Sequence, residues 1–97
     1  MTDENAGGVY SRDVEIINKK GLHARATAKF VQCVEKFDAE ITVTRSGETV
    51  GGTSIMGILT LGAGMGSKIS LSAKGNEAEA AIEALVALIE NRFGEED

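Results

Sequence analysis

The chain has 97 residues, enough for one domain with a thin core, and this length excludes a nucleotide-binding domain beside a separate substrate domain. The net charge of −5 arises at the two ends: five of the fifteen acidic residues lie there, which leaves ten acidic residues against ten basic ones. A neutral body with one tyrosine, three phenylalanines and no tryptophan argues against nucleic acid as the main ligand.

The ends of the chain and its single cysteine bear on location. Residues 1–8 are polar, without the apolar region of a signal peptide, and are predicted to be a disordered tail. The folded domain is expected over 9–93, with an acidic tail at 94–97. Cys33 has no partner for an internal disulfide, which fits a reducing compartment. No apolar run is long enough to span a membrane. We therefore expect a cytoplasmic protein without membrane insertion.

The first strand is predicted over 10–18, with Val14 and Ile16 on one face, and a turn at Lys19-Lys20-Gly21 follows it. Apolar residues at helical spacing then predict a first helix over 24–37. The residues that form this pattern are Ala24, Ala28, Val31 and Val34, with Phe30 and Phe37 beside them.

The middle of the chain alternates apolar and polar residues over 41–44, which predicts a half-buried second strand. Residues 45–48 are typical of a hairpin turn, and a short third strand returns over 48–51. A short second helix is predicted over 54–61.

The last third begins with a glycine-rich loop at 62–66. Alternation over 68–74 predicts a fourth strand, and residues 77–92 carry the strongest helical pattern. Their apolar stripe consists of Ala81, Ile82, Leu85, Leu88 and Ile89. The order β-α-β-β-α-β-α predicts a sheet with one solvent-exposed face and with all three helices on the apolar face.

The only histidine lies in the segment GLHAR at 21–25, where the first helix is predicted to begin. A helix N-terminus attracts anions through unpaired amides and its partial positive charge, so the amides of Ala24 and Arg25 could hold a phosphate on His23. The Arg25 guanidinium adds a permanent cation. The positive helix end favours the neutral, nucleophilic imidazole. No carboxylate is predicted beside the ring.

The histidine segment alone leaves alternatives open. From spacing, a histidine that merely caps the helix and a solvated arginine are an equally good interpretation. One histidine and one cysteine do not make a metal site, so we expect no metal and no cofactor.

The segment GTSIMGIL at 52–59 opens the second helix. Ser54 is predicted to be its N-cap and, at a helix N-terminus, could also carry a regulatory phosphate; on chemistry alone the simple N-cap is favoured. The helix is apolar nearly all round. Ile58 and Leu61 are predicted to face the sheet, and a partly exposed set is predicted to dock a partner: Ile55, Met56 and Leu59.

The GLHAR segment, the SIMG helix start and the loop at Gly62 together resemble the HPr family, the histidine-containing phosphocarriers of the phosphoenolpyruvate-dependent sugar phosphotransferase system. The likeness runs from about residue 12 to residue 91, and HARATAKFV with GGTSIMG looks most like the α-proteobacterial type. The resemblance implies an α+β fold, an open-faced β-sandwich in which a four-stranded antiparallel sheet carries three helices on one face.

The resemblance also implies roles. His23 would be phosphorylated on Nδ1 by phospho-Enzyme I, with Arg25 supporting the phosphate, and would pass the group to a IIA domain. Ser54 matches the site of HPr kinase/phosphorylase. Docking is expected at Ile55, Met56, Leu59 and Thr60. The chain would be a monomeric carrier that partners use as a substrate, not an enzyme. Ala26 departs from the proline of many members, but alanine is a good helix residue, so the site should survive.

Three alternatives remain beside the sugar carrier. The first is a regulatory HPr of the nitrogen-related phosphotransferase branch, which sequence alone does not separate from it. The second is a plain protein-interaction module in which His23 is inert. The third, a small RNA-binding domain, is disfavoured by the neutral body and the few aromatic residues.

Overall fold

The computed structural model describes residues 9–95, so the tail predicted over 1–8 lies outside the described residues. The element order is the predicted one. The strands and helices are β1 (Val9–Glu15), α1 (Ala24–Val34), β2 (Glu40–Arg45), β3 (Glu48–Gly51), α2 (Ile55–Thr60), β4 (Lys68–Lys74) and α3 (Ala78–Glu90), followed by a 3₁₀-helix (Arg92–Gly94).

The four strands form one antiparallel sheet in the order β1-β4-β2-β3. The central strand β4 buries Ile69, Leu71 and Ala73, while the residues between them are exposed or half-buried, as its alternation predicts. Ser46 and Gly47 have φ of 52° and 83° in the turn between β2 and β3. Two such residues are typical of a hairpin turn that matches the twist of its strands.

The helices close the apolar side of the sheet and confirm the predicted open-faced sandwich. Helix α3 packs against β1 and β4, α1 packs against the other two helices, and α2 packs against β3. The buried apolar side chains form one cluster, which includes Phe30, Ile58, Leu71, Leu85 and Phe93.

Two elements, β1 and α1, end three residues earlier than predicted. Strand β1 ends at Glu15 and not at residue 18, because its partner β4 begins at Lys68 and the next amide, that of Ile16, donates to the carbonyl of Ser67. Helix α1 ends at Val34 and not at residue 37, because the amides of Lys36 and Phe37 bond to carbonyls three residues back, as in a tightened last turn.

The buried face of α1 is also shifted. Ala24 is exposed where the pattern placed it on the apolar face, whereas Ala26 and Thr27 are buried. The first helical residue projects from the end of the helix, so packing begins only at the third one.

The predicted acidic tail at 94–97 falls partly outside the described residues, but Gly94 and Glu95 are described, and Glu95 contacts the domain. Helix α3 ends at Glu90, and Arg92, Phe93 and Gly94 then take φ of 56°, 55° and 79°. The left-handed region costs a residue other than glycine about 1–2 kcal/mol. Burial of the Phe93 ring, about 1.5–3 kcal/mol, offsets part of that cost. Lys29 Nζ also donates to the Phe93 carbonyl at 2.6 Å, so Glu95 is directed back over the domain.

Candidate functional site

The loop before α1 is fixed by a close approach of two backbones. Gly21 has φ +67°, and a Cβ there would lie 2.6 Å from both Ala63 O and Gly64 Cα. The amide of Leu22 donates to the same Ala63 carbonyl at 2.9 Å. Only glycine fits such a position. The glycine predicted to permit a tight turn therefore sets where His23 begins the helix.

His23 is the N-cap of α1, at the position predicted for it. Its backbone is extended, its carbonyl accepts the amide of Thr27 at 2.9 Å, and its Nδ1 accepts the amide of Arg25 at 3.3 Å. A ring nitrogen thus takes the place that a serine or aspartate oxygen usually fills. The side chain is 28% exposed, which leaves the ring within a partner's reach.

The other ring nitrogen faces a carboxylate that the sequence did not predict there. Glu95 Oε2 lies 2.5 Å from His23 Nε2, and Glu95 Oε1 accepts from Asn18 Nδ2 at 3.2 Å. The same Nδ2 donates to Gly21 O at 2.8 Å, and Asn18 is fully buried. The expectation that no carboxylate lies beside His23 was therefore wrong.

These partners assign the ring protons. An amide N–H donates to Nδ1, so Nδ1 carries a lone pair, and a carboxylate accepts at Nε2, so Nε2 carries the proton. Nδ1 is therefore the nucleophilic nitrogen. It lies at the helix N-terminus, where backbone amides and the helix dipole favour an anion.

The charge of Glu95 follows from its contacts. The hydrogen bond from His23 holds the pKa of the Glu95 carboxyl below its usual range, and Asn18 and the charge of Lys20 act in the same direction against partial burial. The carboxyl is thus ionised at neutral pH. The sequence predicts a positive helix end and the Arg25 cation beside the imidazole, whereas the structure adds a negative charge at the opposite nitrogen.

Arg25 is the second residue of α1. Its amide already points at Nδ1, and its side chain is exposed, as is the neighbouring Ala24. First-turn amides have no carbonyl of the same helix to bind. A phosphoryl group on Nδ1 would displace a long, weak capping bond and meet amides that lack better partners.

The start of α2 confirms the predicted N-cap. Ser54 Oγ accepts the amide of Gly57 at 3.1 Å. Its hydroxyl therefore serves the helix in the unmodified protein, and Ser54 itself is exposed.

The predicted docking residues lie along α2. Ile55 is 43% exposed and Met56 70%, Leu59 is half-buried, and Thr60 is exposed with its hydroxyl donating to Gly57 O at 2.7 Å. The two residues predicted to face the sheet, Ile58 and Leu61, are both buried.

Over residues 9–95, no three histidine, cysteine, aspartate or glutamate residues are grouped to hold a metal ion. No helix in that range combines the length and apolarity needed to cross a membrane. Cys33 is half-buried on α1, and burial raises the pKa of its thiol against the opposing charge of Lys36. It packs against the hydrophobic core.

Residues 10–91 match the PTS-HPr family, described as the PTS HPr component phosphorylation site. The phosphocarrier protein HPr of Cupriavidus necator is 49% identical over 84 residues, which cover 87% of this chain and 94% of that protein. The phosphocarrier protein NPr of Shewanella violacea is 44% identical over 84 residues, covering 87% and 92%.

Solved structures agree with the sequence matches. A crystal structure of HPr-C-His from Thermoanaerobacter tengcongensis superposes with a TM-score of 0.87 at 49% identity, over 91% of this chain and 99% of that one. A crystal structure of an HPr dimer from the same organism matches at 0.72 and 51% identity, over 84% and 94%. By both sequence and fold, the chain belongs to the PTS-HPr family and is a phosphocarrier protein of the phosphotransferase system.

Proposed function

We propose that His23 Nδ1 accepts a phosphoryl group from phospho-Enzyme I and passes it to a IIA domain that serves sugar transport. The observation that carries this proposal is the placement of a partly exposed imidazole at the N-terminus of α1. Its Nδ1 faces the amide of Arg25 while Nε2 faces Glu95.

Phosphoryl transfer requires few catalytic groups on the carrier itself. Phosphoryl transfer is catalysed mainly by positioning and charge stabilisation, which a partner can complete at a shallow site. The amides of Ala24 and Arg25 would bind the phosphoryl oxygens, and the exposed Arg25 guanidinium can turn toward them. The phosphate would thus be held without being enclosed, so it can be transferred again.

The test of the site is phosphorylation with Enzyme I, phosphoenolpyruvate and magnesium. We expect an acid-labile, base-stable phosphate on the wild type and on the matched Ser54→Ala variant, and none on His23→Ala. Label that persists in His23→Ala would refute the assignment. Absence of label from every protein would favour the plain interaction module.

Docking is proposed on α2. Exposed apolar side chains beside a functional site are typical of an interaction surface. Ile55 and Met56 are such side chains, and half-buried Leu59 and exposed Thr60 lie on the same helix. Methionine adapts to differently shaped partners, which suits a carrier that must bind both a donor and an acceptor.

Ser54 is proposed as a regulatory site for HPr kinase/phosphorylase. Support comes from its exposure at the start of α2 and from the resemblance of the SIMG segment to that site. Incubation with the kinase and ATP should label the wild type and Thr53→Ala but not Ser54→Ala. Equal label on all three would place the modification elsewhere.

The nitrogen-related branch remains the second candidate, because the NPr relative is nearly as similar as the HPr relative, at 44% against 49% identity. The two candidates separate by donor. A sugar carrier should be phosphorylated faster by the Enzyme I of the sugar branch, and a regulatory carrier by its nitrogen-branch counterpart.

We also propose a cytoplasmic monomer of the α-proteobacterial type. A monomer is supported because one chain supplies every group around the ring, including Asn18, His23, Arg25 and Glu95. Sedimentation equilibrium at working concentration should give the mass of one chain. A concentration-independent dimer would contradict this.

A further inference from the structure

We propose that Glu95 is a positioning residue for phosphoryl transfer at His23: its carboxylate keeps the ring proton on Nε2 and neutralises the positive charge that the ring gains when Nδ1 is phosphorylated. The inference rests on the proposed function and adds a residue 72 positions away from His23 in the chain.

The carboxylate is fixed to the site at both oxygens. Oε2 meets His23 Nε2 at 2.5 Å, and Oε1 meets Asn18 Nδ2 at 3.2 Å. Asn18 is itself tied to the loop through Gly21 O. Glu95 is therefore oriented by the loop that carries His23 as well as by the ring, which is the arrangement that fixes a tautomer.

Two structural costs accompany this contact. Asn18 is fully buried, and within the described part of the chain its Oδ1 has no hydrogen-bond donor. A buried, unpaired oxygen of this kind costs about 1–3 kcal/mol. Arg92 and Phe93, in the turn that leads to Glu95, adopt left-handed backbone. Such costs are common at functional sites, and here both serve to hold one carboxylate against one imidazole.

The transfer step balances without a proton transfer. The lone pair of Nδ1 forms the new bond to phosphorus, and the bond to the donor atom breaks with its electron pair remaining on the donor. The proton stays on Nε2, so the phosphorylated ring becomes a cation beside the Glu95 anion. When the phosphoryl group leaves, the electron pair of the N–P bond returns to Nδ1 and the ring is neutral again. A charge-assisted hydrogen bond strengthens in the cationic form.

The surrounding charges do not replace this role. Lys20 contributes positive charge near Glu95, Arg25 lies at the N-terminus of α1, and Lys29 is bound to the Phe93 carbonyl. Each of these groups is cationic. Glu95 is the anion that contacts the ring among the residues described, 9–95.

The first test needs no phosphorylation. Ring-nitrogen chemical shifts of His23 report the tautomer in unphosphorylated protein at a pH where the ring is neutral. We expect the Nε2–H tautomer in the wild type and in Glu95→Gln, whose amide oxygen can still accept. Glu95→Ala should give a mixture. Glu90→Gln, which removes the same charge from the exposed end of α3, should match the wild type.

The second test separates charge from hydrogen bonding. Single-turnover phosphorylation by stoichiometric phospho-Enzyme I should slow about tenfold in Glu95→Ala, because the cationic ring loses a charge-assisted bond. Glu95→Gln should slow several-fold although its tautomer is kept, and Glu90→Gln should not slow. Thermal unfolding checks that each variant folds, with Phe93 retained as the anchor of the turn.

Three outcomes would overturn the proposal. They are a wild-type tautomer in Glu95→Ala, a rate in Glu95→Ala within about twofold of Glu90→Gln, or faster phosphorylation in Glu95→Ala, which would mean that the carboxylate only obstructs the ring. Failure of the proposed function has a different signature: the wild type would take no phosphate on His23, while the tautomer measurement would still report the effect of Glu95.

Discussion

The two helix starts of this protein use one geometry for two purposes. At α2, the Ser54 hydroxyl accepts the amide of Gly57 at 3.1 Å, an ordinary N-cap that completes a short helix. At α1, the His23 ring accepts the amide of Arg25 at 3.3 Å, a longer bond from a less suitable group. The weaker cap leaves a nucleophilic nitrogen facing the helix amides. Under the proposed function, this weak capping bond is what leaves Nδ1 available for a phosphoryl group.

The glycines near the two helix starts, Gly21 and Gly57, also differ in the atoms that surround them. A Cβ on Gly21 would meet the backbone of Ala63 and Gly64 at 2.6 Å. A Cβ on Gly57 would meet Ser54 Oγ at 2.8 Å and the Val50 side chain at 3.0 Å. Backbone cannot yield as a side chain can, so the histidine loop is built more rigidly than the serine turn.

The largest expected effect is therefore on the loop of Gly21. Gly21→Ala combines a left-handed φ with a backbone clash and should lower the free energy of unfolding by about 3 kcal/mol or more. Gly47→Ala has φ +83° but no atom within 4 Å of the new Cβ, and should lower it by about 1 kcal/mol. Urea unfolding measures both. Equal losses would show that the close approach does not constrain the loop.

The next largest expected effect is on the binding of Enzyme I at α2. Met56→Lys should raise the KM for phosphorylation by Enzyme I about tenfold and leave kcat nearly unchanged, because it removes apolar contact area without touching the ring. Val9→Lys, an exposed apolar position at the far end of β1, is the matched control and should leave KM unaltered. A fall in kcat alone would contradict docking at this residue.

The stability of the two caps should rank opposite to their chemical importance. Ser54→Ala should lower the free energy of unfolding by about 1 kcal/mol, the usual effect of losing a serine cap. His23→Ala should lower it less, because its capping bond is long and its contact with Glu95 is partly exposed. Thermal and urea unfolding of the two variants give the ranking. The reverse order would contradict the claim that His23 is the weaker cap.

The smallest effect concerns the acid side of the pH–stability curve. Because the pKa of Glu95 is lower in the folded chain than its usual value, its ionised form stabilises the fold above that usual value. This contribution should disappear as the pH falls through the lowered pKa. Urea unfolding of wild type and Glu95→Gln between about pH 2 and about pH 7 should show curves that separate only at the upper end. A gap that widens toward low pH would have the wrong sign.

Local patterns predicted most of the fold. The strand alternation of β4 and the spacing of Leu85 and Ile89 in α3 depend on near neighbours, and the structure confirms both predictions. The end of α1 was missed, since a switch to three-residue turn bonds leaves no mark in apolar spacing.

The site was only half predictable. His23 and Arg25 lie two residues apart, and their position at a helix start follows from local signals. The sequence predicts Asn18 in a strand and Glu95 in an acidic tail, because neither residue has a periodic pattern that ties it to the histidine. The one available signal was Phe93, an aromatic residue beyond the last helical stripe that needed a place in the core. Contacts across 72 residues follow from the tertiary fold.

The central claim is that the helix amides and Glu95 leave Nδ1 of His23 as the phosphoryl acceptor. The most direct measurement is a nitrogen–phosphorus correlated NMR spectrum of the protein phosphorylated in situ by Enzyme I and phosphoenolpyruvate. We predict a single phosphoramidate whose phosphorus couples to Nδ1 of His23. Coupling to Nε2, or phosphate on any other residue, would contradict the account.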